Sequence, residues 1–546
     1  MTETSVLITG GGPAGLSLAT ALGQRGIACI LVERRIDADP HPRASLLGAR
    51  SMEYFRRHGF ADDILNAGMP TRHRYEARFV TSLTGHLLHA YSTPSPDEYR
   101  QMHENIIPSS PDSAWSPYFK VQIGQHTIEP IIRKHLRSLP SVTCRYGWEL
   151  SSFEQAADHV SVTITELATG KQEKIRADYL AACDGGKGLV RQQLDIPYVG
   201  RGAIGLNRSF LFQSPKLLDA ATTGRANLHF ILNREVYGVI IDLDGRGLYS
   251  YSYFDPSEDR RKVAPADIIR KAMGRDFEFE VLRTMDWAHH QSVADSYRAG
   301  RVFLLGDAAH LFCPSGGIGM NTAIADAFDL GWKLAARVQG WGGEMLLDSY
   351  ELERRPIAFR NTLASADNRD RIDSIMHTLP DAVSETGPEG ESARARLKPR
   401  LLWMTKQFNT MGLHLGGRYA ESPIVVPDGT PEPPDDPRIV TQSSWPGCRA
   451  PHAWLSKGHS TLDEYDGTAF VLVQCGTSTS DTAPFSTAAT RLGVPLRHAH
   501  FSDPAIAALY QRQYVLVRPD GHVCWRSNQL PPEPEAILRT VSGRGA

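Results

Sequence analysis

Apolar positions along the 546-residue chain recur with several periods, each marking a different kind of element. Residues 5–35, SVLITGGGPAGLSLATALGQRGIACILVERR, pass from a short continuous apolar run through glycines into helical spacing and back to an apolar run. This predicts strand, tight turn, amphipathic helix, strand. RVFLLGDAAH, residues 301–310, predicts a second strand from Arg301 to Leu305, and TAIADAFDLGWKLAARV, residues 322–338, predicts a helix after it. Between these units, residues 225–254 alternate with period two and break at Asn233-Arg234 and Asp244-Gly245, which predicts three short antiparallel strands. Tyr249, Tyr251 and Tyr253 then share one face, either lining a pocket or covering another element.

Beyond a helical stretch to about residue 415, ESPIVVPDGTPEPPDDPRIV reads as a proline-rich linker. GTAFVLVQCG and YVLVRPDGHVCWRS predict a strand and a hairpin turning at Asp520-Gly521, followed by a final helix. Residues 91–117, rich in Ser and Pro and ending near Trp115, read either as a mobile loop at a pocket mouth or as ordinary surface loop.

Composition narrows the ligand. At 41% hydrophobic and 22% charged, the chain can bury a large core, and its length suggests roughly three or four domains. The 59 basic and 61 acidic residues form no long run of either sign, so neither nucleic acid nor a membrane surface is expected as a partner. A small molecule is. The seven cysteines form no C-x-x-C pair, which suggests a reducing compartment and neither a metal site nor a dithiol centre. Without a leader-like n-region or an apolar run of ~18 residues, the expected location is cytoplasmic.

The glycines carry the chemistry. Gly10-x-Gly12-x-x-Gly15 lies at the first strand-to-helix turn, followed by Pro13 and Ala14 inside the motif, with Glu33 closing the next strand. Gly10 permits the turn, Gly12 lets a pyrophosphate approach the helix N-terminus, Gly15 allows close helix packing, and Glu33 can accept from ribose hydroxyls. In GDAAHLFCPSGGIGMN, residues 306–321, Asp307 sits at a strand end where a carboxylate suits a polyol hydroxyl. Gly316, Gly317 and Gly319 lead to Met320-Asn321, where a helix start offers N–H groups to an electron-rich ring edge.

These residues closely resemble the FAD-dependent aromatic hydroxylases of the p-hydroxybenzoate hydroxylase type, the class A flavoprotein monooxygenases. CDGGKGLVR, residues 183–191, is similar to the family's Asp-Gly motif and implies Asp184 near the pyrophosphate. HPRASLLGARSMEYFRRHG implies Arg43, and IGQHTIEPIIRKHL implies Gln125, as cofactor contacts; Arg34 follows Glu33 in the same cofactor-binding set. Pro314 corresponds to a residue beside the flavin ring. The tail resembles the thioredoxin-like domain of the phenol hydroxylase and 2,4-dichlorophenol hydroxylase branch, here with Cys475 lacking a redox partner. That implies a structural appendage, with an oligomer contact as one role open to it, and one removable without disturbing the flavin.

The resemblance also implies noncovalent FAD, NADH or NADPH, and O₂, with oxygen transferred to a phenolic or hydroxy-heteroaromatic ring through a flavin C4a-hydroperoxide. The fold implied is α/β, a Rossmann-like FAD-binding domain with an inserted antiparallel substrate sheet. The expected division is 1–75, 115–195 and 283–375 for FAD, 76–114 and 196–282 for substrate, 376–437 for helix and linker, and 438–546 for the tail. Gly188, Ile318 and Asp329 depart from frequent family residues, and Ser45 stands where relatives carry an aspartate or histidine. With Ser45, Pro314 and Tyr251 as the pocket candidates, no base is identified; His289 and His290 read as surface residues at a domain edge. A flavin halogenase lacks support because no two of the nine tryptophans are spaced two apart. A disulfide reductase or a Baeyer–Villiger enzyme would bring a C-x-x-C or a second dinucleotide motif, and an FAD oxidase or dehydrogenase is the alternative on the same fold.

Overall fold

The computed structural model describes residues 2–103, 114–254, 262–477 and 481–545. Its first sheet runs in the order Arg298–Ala299, Val302–Leu304, Gln172–Ala182, Thr2–Thr9, Cys29–Glu33, Val142–Tyr146, with Trp148–Gln155 and Val160–Glu166 as an antiparallel extension. From Val302–Leu304 to Val142–Tyr146 every pairing is parallel, so all the strand C-termini open on one edge. Helices Pro13–Gly23 and Gly319–Val338 pack on this sheet, and they cross closely because Gly331 faces Ala21; a Cβ at Gly331 would lie 2.6 Å from that of Ala21.

The second sheet is antiparallel over most of its width, in the order His310–Leu311, Glu280–Ala294, Tyr198–Gln213, Leu248–Tyr253, Tyr237–Asp242, Leu228–Leu232, Glu76–Val80, Leu87–Ser92. The two turns expected at Asn233 and Asp244 join its three central strands, held by the Asn233 and Asp242 side chains accepting backbone N–H groups. Glu280–Ala294 pairs with Tyr198–Gln213 along its whole length, so residues 283–294 belong to this sheet and not to the FAD unit where the sequence placed them.

Tyr249, Tyr251 and Tyr253 face Phe210, Phe212 and the helix Pro265–Met273. Tyr251 packs there against the helix, on the face of the sheet away from Asn207 and His289, so the structure corrects its pocket role: it covers another element. In the segment 91–117, residues Pro96–His103 form a helix and Trp115 packs on an apolar cluster, while 104–113 lie outside the described residues.

The tail has sheet order Leu496–Phe501, Phe470–Cys475, Tyr514–Val517, Val523–Ser527, with the first pair parallel and the others antiparallel, as in thioredoxin-like domains. It is no appendage. Trp332, Trp341 and Leu346 from the FAD unit share one core with Phe470, Leu516, Trp525 and Leu538. The proline-rich segment is pinned as a strap, by buried Ile424, by Asp435 to Arg360 (2.6 Å) and by Asp428 to Arg526 (2.7 Å).

Between the two units lies a buried ion cluster. Arg518, fully buried at the hairpin turn, reaches Glu353 (2.6 Å), Asp520 (2.6 Å) and Asp329 (3.3 Å), while Lys333 holds Asp329 (2.8 Å) and Glu353 (2.6 Å). Three carboxyl groups thus face two cations. The mismatch is relieved at Asp329, whose pKa burial pushes up to about 8 against the pull of Lys333, with Glu353 adding repulsion. Nearby, buried Glu53 receives Arg449 (2.5 and 2.9 Å) and Arg50 (2.9 Å).

Removing one partner from such a cluster leaves an uncompensated buried charge costing about 3–5 kcal/mol. Arg518→Met is therefore expected to lower the thermal midpoint and release flavin in the same transition, in contrast to a removable tail; an unchanged midpoint in a thermal melt would contradict this. Burial alone would raise the Glu53 pKa, but Arg449 and Arg50 outweigh it and hold the group at about 2, against an ordinary 4.5. A depressed carboxyl stabilises the fold above its unfolded pKa and loses that contribution as pH falls through the folded one. Acid titration of Glu53→Gln should then show a shallower loss of stability between pH 4.5 and about 2 than the wild type, which the pH dependence of chemical denaturation measures.

Candidate cofactor and active site

The strand C-termini bring the separated glycine motifs together. Gly10, at φ +104°, lies so close to the Cys183 carbonyl that a Cβ would overlap it, and a Cβ on Gly15 would overlap the Gly10 carbonyl. Both positions need glycine for close backbone approach. Gly12 differs: as N-cap of Pro13–Gly23, with Pro13 as the first helical residue and Ala14 buried behind it, it has open space where its Cβ would stand. That space, at a helix N-terminus, is where a pyrophosphate fits.

Glu33 accepts from the N–H of Gly11 (2.5 Å) and of Arg35 (2.8 Å), so its carboxylate braces the turn while remaining half-exposed; Arg34 is exposed beside it. Asp184 accepts from Val190 N–H (3.1 Å) through one oxygen, while its other oxygen is buried without a partner among the described residues. The departure at Gly188 has a steric reason, since a Cβ there would run into this carboxylate. Burial raises the Asp184 pKa, opposed by backbone N–H groups.

The second glycine stretch meets the first at Gly306, where a Cβ would stand 3.1 Å from that of Ala14 and 3.2 Å from that of Ala323. Asp307 keeps exposed surface, yet the protein around its carboxyl desolvates it and raises its pKa against the pull of His310, Arg43 and His290. Arg43 is thereby placed near Asp307, although it is half-exposed and only 4.0 Å from Asp39. The loop closes as a turn in which Pro314, itself exposed, accepts through its carbonyl from Gly317 N–H (3.0 Å), so that carbonyl is engaged within the loop. Gly316 and Gly317 both take positive φ, and a Cβ on Gly317 would press on Leu46 at 2.8 Å.

Asn321 locks this loop to another part of the chain. Its Oδ1 accepts from Gly48 N–H (2.8 Å) and Ser51 Oγ (2.7 Å), and its Nδ2 donates to Leu46 O (3.0 Å) and Gly317 O (2.7 Å). The amide side chain is saturated, so only the backbone of Asn321, with that of Gly319 and of half-buried Met320, faces a ligand at the helix N-terminus. Ser45 and Gln125 join through a short pair of strands: Ser45 O accepts from Ile123 N–H (3.0 Å), and Gln125 opens a helix with its side chain donating to Glu129 (2.7 Å). The donors, the open space at Gly12 and the orphaned Asp184 oxygen suit a flavin dinucleotide.

The sequence reading missed the wall opposite this loop. His289 is not at the surface; it is fully buried, stacked on Trp287 (4.7 Å) and set edge-on to Phe254 (5.7 Å), with only His290 half-buried beside it. Its Nδ1 lies 3.4 Å from Cys313 Sγ and 3.4 Å from Arg369 Nη1. Ser365, one helical turn before Arg369, donates to the carbonyls of Cys313 (2.6 Å) and Ser315 (2.9 Å), so helix, loop and sheet meet at one place. The clue legible in the sequence was period two in the strand holding Trp287 and His289, which puts both on one face.

A parallel-edged dinucleotide sheet, two glycine turns at its strand ends and an inserted antiparallel sheet define a flavin-dependent oxidoreductase class. Residues 3–365 match the FAD binding domain family and residues 443–545 the aromatic-ring hydroxylase C-terminal domain. The chain belongs to the FAD-dependent aromatic-ring hydroxylases, with FAD as cofactor and NAD(P)H and O₂ as co-substrates. Relatives include a putative polyketide hydroxylase of Streptomyces halstedii, 33% identical across 98% of this chain and 96% of the relative, and phenol 2-monooxygenase of a Pseudomonas species, 29% identical across 99% and 92%. Among solved structures, native and K252c-bound RebC-10x superposes with TM-score 0.90 at 38% identity over 100% of both chains. Aklavinone-11 hydroxylase with FAD and aklavinone gives 0.81 at 28% identity over 99% of both.

Gly12→Val separates cofactor binding from folding. Because nothing occupies the space its Cβ would enter, the apoprotein should keep the wild-type circular dichroism and melting point while its flavin content falls about tenfold. Gly15→Val, which collides with the Gly10 carbonyl, should instead lose soluble protein. Full flavin occupancy in Gly12→Val would refute the placement.

Proposed function

We propose that this protein hydroxylates a phenolic or hydroxy-heteroaromatic substrate, with FAD held noncovalently by the residues at the strand ends. The observation that carries this reading is the meeting, at residues 313–319, of the cofactor loop, the helix bearing Ser365 and Arg369, and the sheet face bearing His289. A polyol chain along the strand ends would find the Asp307 carboxylate, a ribose the Glu33 carboxylate, and a pyrophosphate the helix start at Gly12 to Ala14. The Met320 and Gly319 backbone would face the ring edge. FAD, when bound, supplies the transfer of reducing equivalents from NAD(P)H and the activation of O₂.

What the chain contributes is placement and exclusion of water. The sheet face opposite the loop carries Phe79, Phe230, Val239, Tyr237 and Phe254 packed with Ile372 and Ile375, so an apolar core borders the place where loop, helix and sheet meet. His289 does not act as the base: burial, with Arg369 and His290 acting in the same direction, lowers its pKa to about 3, so it stays neutral at physiological pH. The names of the relatives, which cover polyketide and phenol hydroxylases, support an aromatic substrate without fixing its size.

The test is isotopic. With ¹⁸O₂ and a panel of phenols and hydroxy-heteroaromatics, one labelled oxygen is expected in the hydroxylated product at the cost of one NAD(P)H, detected by mass spectrometry. NAD(P)H consumption with no labelled product from any member of the panel would replace hydroxylation by an oxidase or dehydrogenase activity.

A further inference from the structure

The sheet face that holds His289 collects polar groups with nothing to bind. Register pairs Asn207 with Trp287 and Gly205 with His289, so all point to the same side, and the ring chain continues from His289 through Phe254 to Tyr237 (5.2 Å). Asn207, Tyr237 and His289 are each more than nine-tenths buried. Yet both amide atoms of Asn207, the Tyr237 hydroxyl, Trp287 Nε1 and His289 Nε2 have no hydrogen-bond partner among the described residues. Buried polar atoms are nearly always paired, and leaving one unpaired costs about 1–3 kcal/mol. A concentration of them on one wall, beside the cofactor loop, points to a ligand that completes them.

The protonation state of each group says what that ligand presents. Arg369 can only donate, so the His289 Nδ1 beside it must be the accepting nitrogen, and the ring proton sits on Nε2. The Cys313 thiol, kept protonated because burial raises its pKa, is compatible with the same tautomer. Trp287 can only donate, and burial keeps Tyr237 a phenol with a proton to give. Donors thus outnumber acceptors, with the Asn207 carbonyl the clearest acceptor, and the Arg369 guanidinium above Phe254 (4.5 Å) adds positive field.

We propose that Asn207, Tyr237, Trp287 and His289 read the oxygen atoms of the substrate, and that the substrate is an aromatic carrying at least two hydrogen-bond-accepting oxygens, as carbonyl or phenolate. The inference rests on the aromatic-substrate reading above. It assigns the selection of substrate to neutral donors and a fixed cation, not to a titrating base. A simple phenol or an unsubstituted hydrocarbon leaves donors unpaired and binds weakly for that reason.

Binding to the FAD-loaded protein tests this without turnover, by titrating 5-hydroxy-1,4-naphthoquinone and naphthalene and following the flavin absorbance. The wild type is expected to prefer the quinone by at least about a hundredfold, two donors' worth of discrimination. His289→Phe should weaken the quinone about tenfold and leave naphthalene unchanged, and His289→Gln, whose amide nitrogen stands near the position of Nε2, should restore most of the loss. Tyr237→Phe, which removes a single oxygen, serves where the histidine variants fold poorly and should show the same selective loss. The wild-type Kd for naphthalene-type and non-ionised quinone ligands should be flat from about pH 5 to 7, because His289 is not titrating there. Equal weakening of both ligands, an unaltered quinone Kd, or a step near the ordinary histidine pKa would each overturn the proposal. Selective quinone binding together with absent ¹⁸O incorporation would leave this inference standing and remove the hydroxylase reading.

Discussion

The position of the helix Gly319–Val338 is fixed by a buried charge that arrives from the far end of the chain. Arg518 lies against Glu353 and Asp329 with no exposed surface, and Lys333 on the same helix closes the cluster. Burying such ions is expensive, and the attraction repays it only when every partner is present and well placed. The tail must therefore dock in one register, with Trp332 and Trp341 sealed beneath it. A unit that looks detachable along the chain is in this way part of the flavin-binding body.

From that helix the constraint passes to the cofactor site. Its first turn carries Asn321, whose four hydrogen bonds tie residues 46–51 to Gly317, and its middle carries Asp326, which holds His310 (2.6 Å) and Arg354 (2.8 Å) behind the Asp307 turn. The two glycine stretches then touch at Gly306 and Ala14, where a Cβ would press on the Ala14 and Ala323 methyls and the backbone takes φ +57°. Glycine is required here for proximity as much as for backbone angle, since Gly15 adopts an ordinary helical conformation and still admits no side chain.

The inserted sheet divides its labour between two faces. One face, with Tyr249, Tyr251 and Tyr253, is filled by the helix Pro265–Met273 and serves as core. The other meets the long helix Glu344–His377 and the cofactor loop and combines an apolar wall with unsatisfied donors. Register decides which residues fall on which side: a one-residue slip would exchange Asn207 and His289 with Tyr251 between the two faces. The bulges in Tyr198–Gln213, between Gly200 and Gly202 and between Ala203 and Gly205, therefore matter, because they set the phase of the strand just before Asn207 and so the face on which it falls.

The sequence by itself determined the strands, turns and helices around the glycine motifs. Gly10, Gly12, Gly15, Glu33 and Asp307 lie on short local motifs whose backbone geometry depends on neighbours a few residues away, and the spacing of apolar residues around them is enough to predict strand, turn and helix. Hairpin turns at Asn233 and Asp244 were legible for the same reason, as local hydrogen bonds made by the turn residues themselves. Only the tertiary structure decided the rest. Period two placed the tyrosines together without saying which face they shared, and it could not show that His289 is buried, because burial depends on Phe254 and Arg369, which stand 35 residues before it and 80 after it. The Arg518 cluster was invisible on the same ground: its partners are separated by up to 189 residues, and a charged side chain in sequence is read as solvated until the fold supplies the opposite charges that let it leave water.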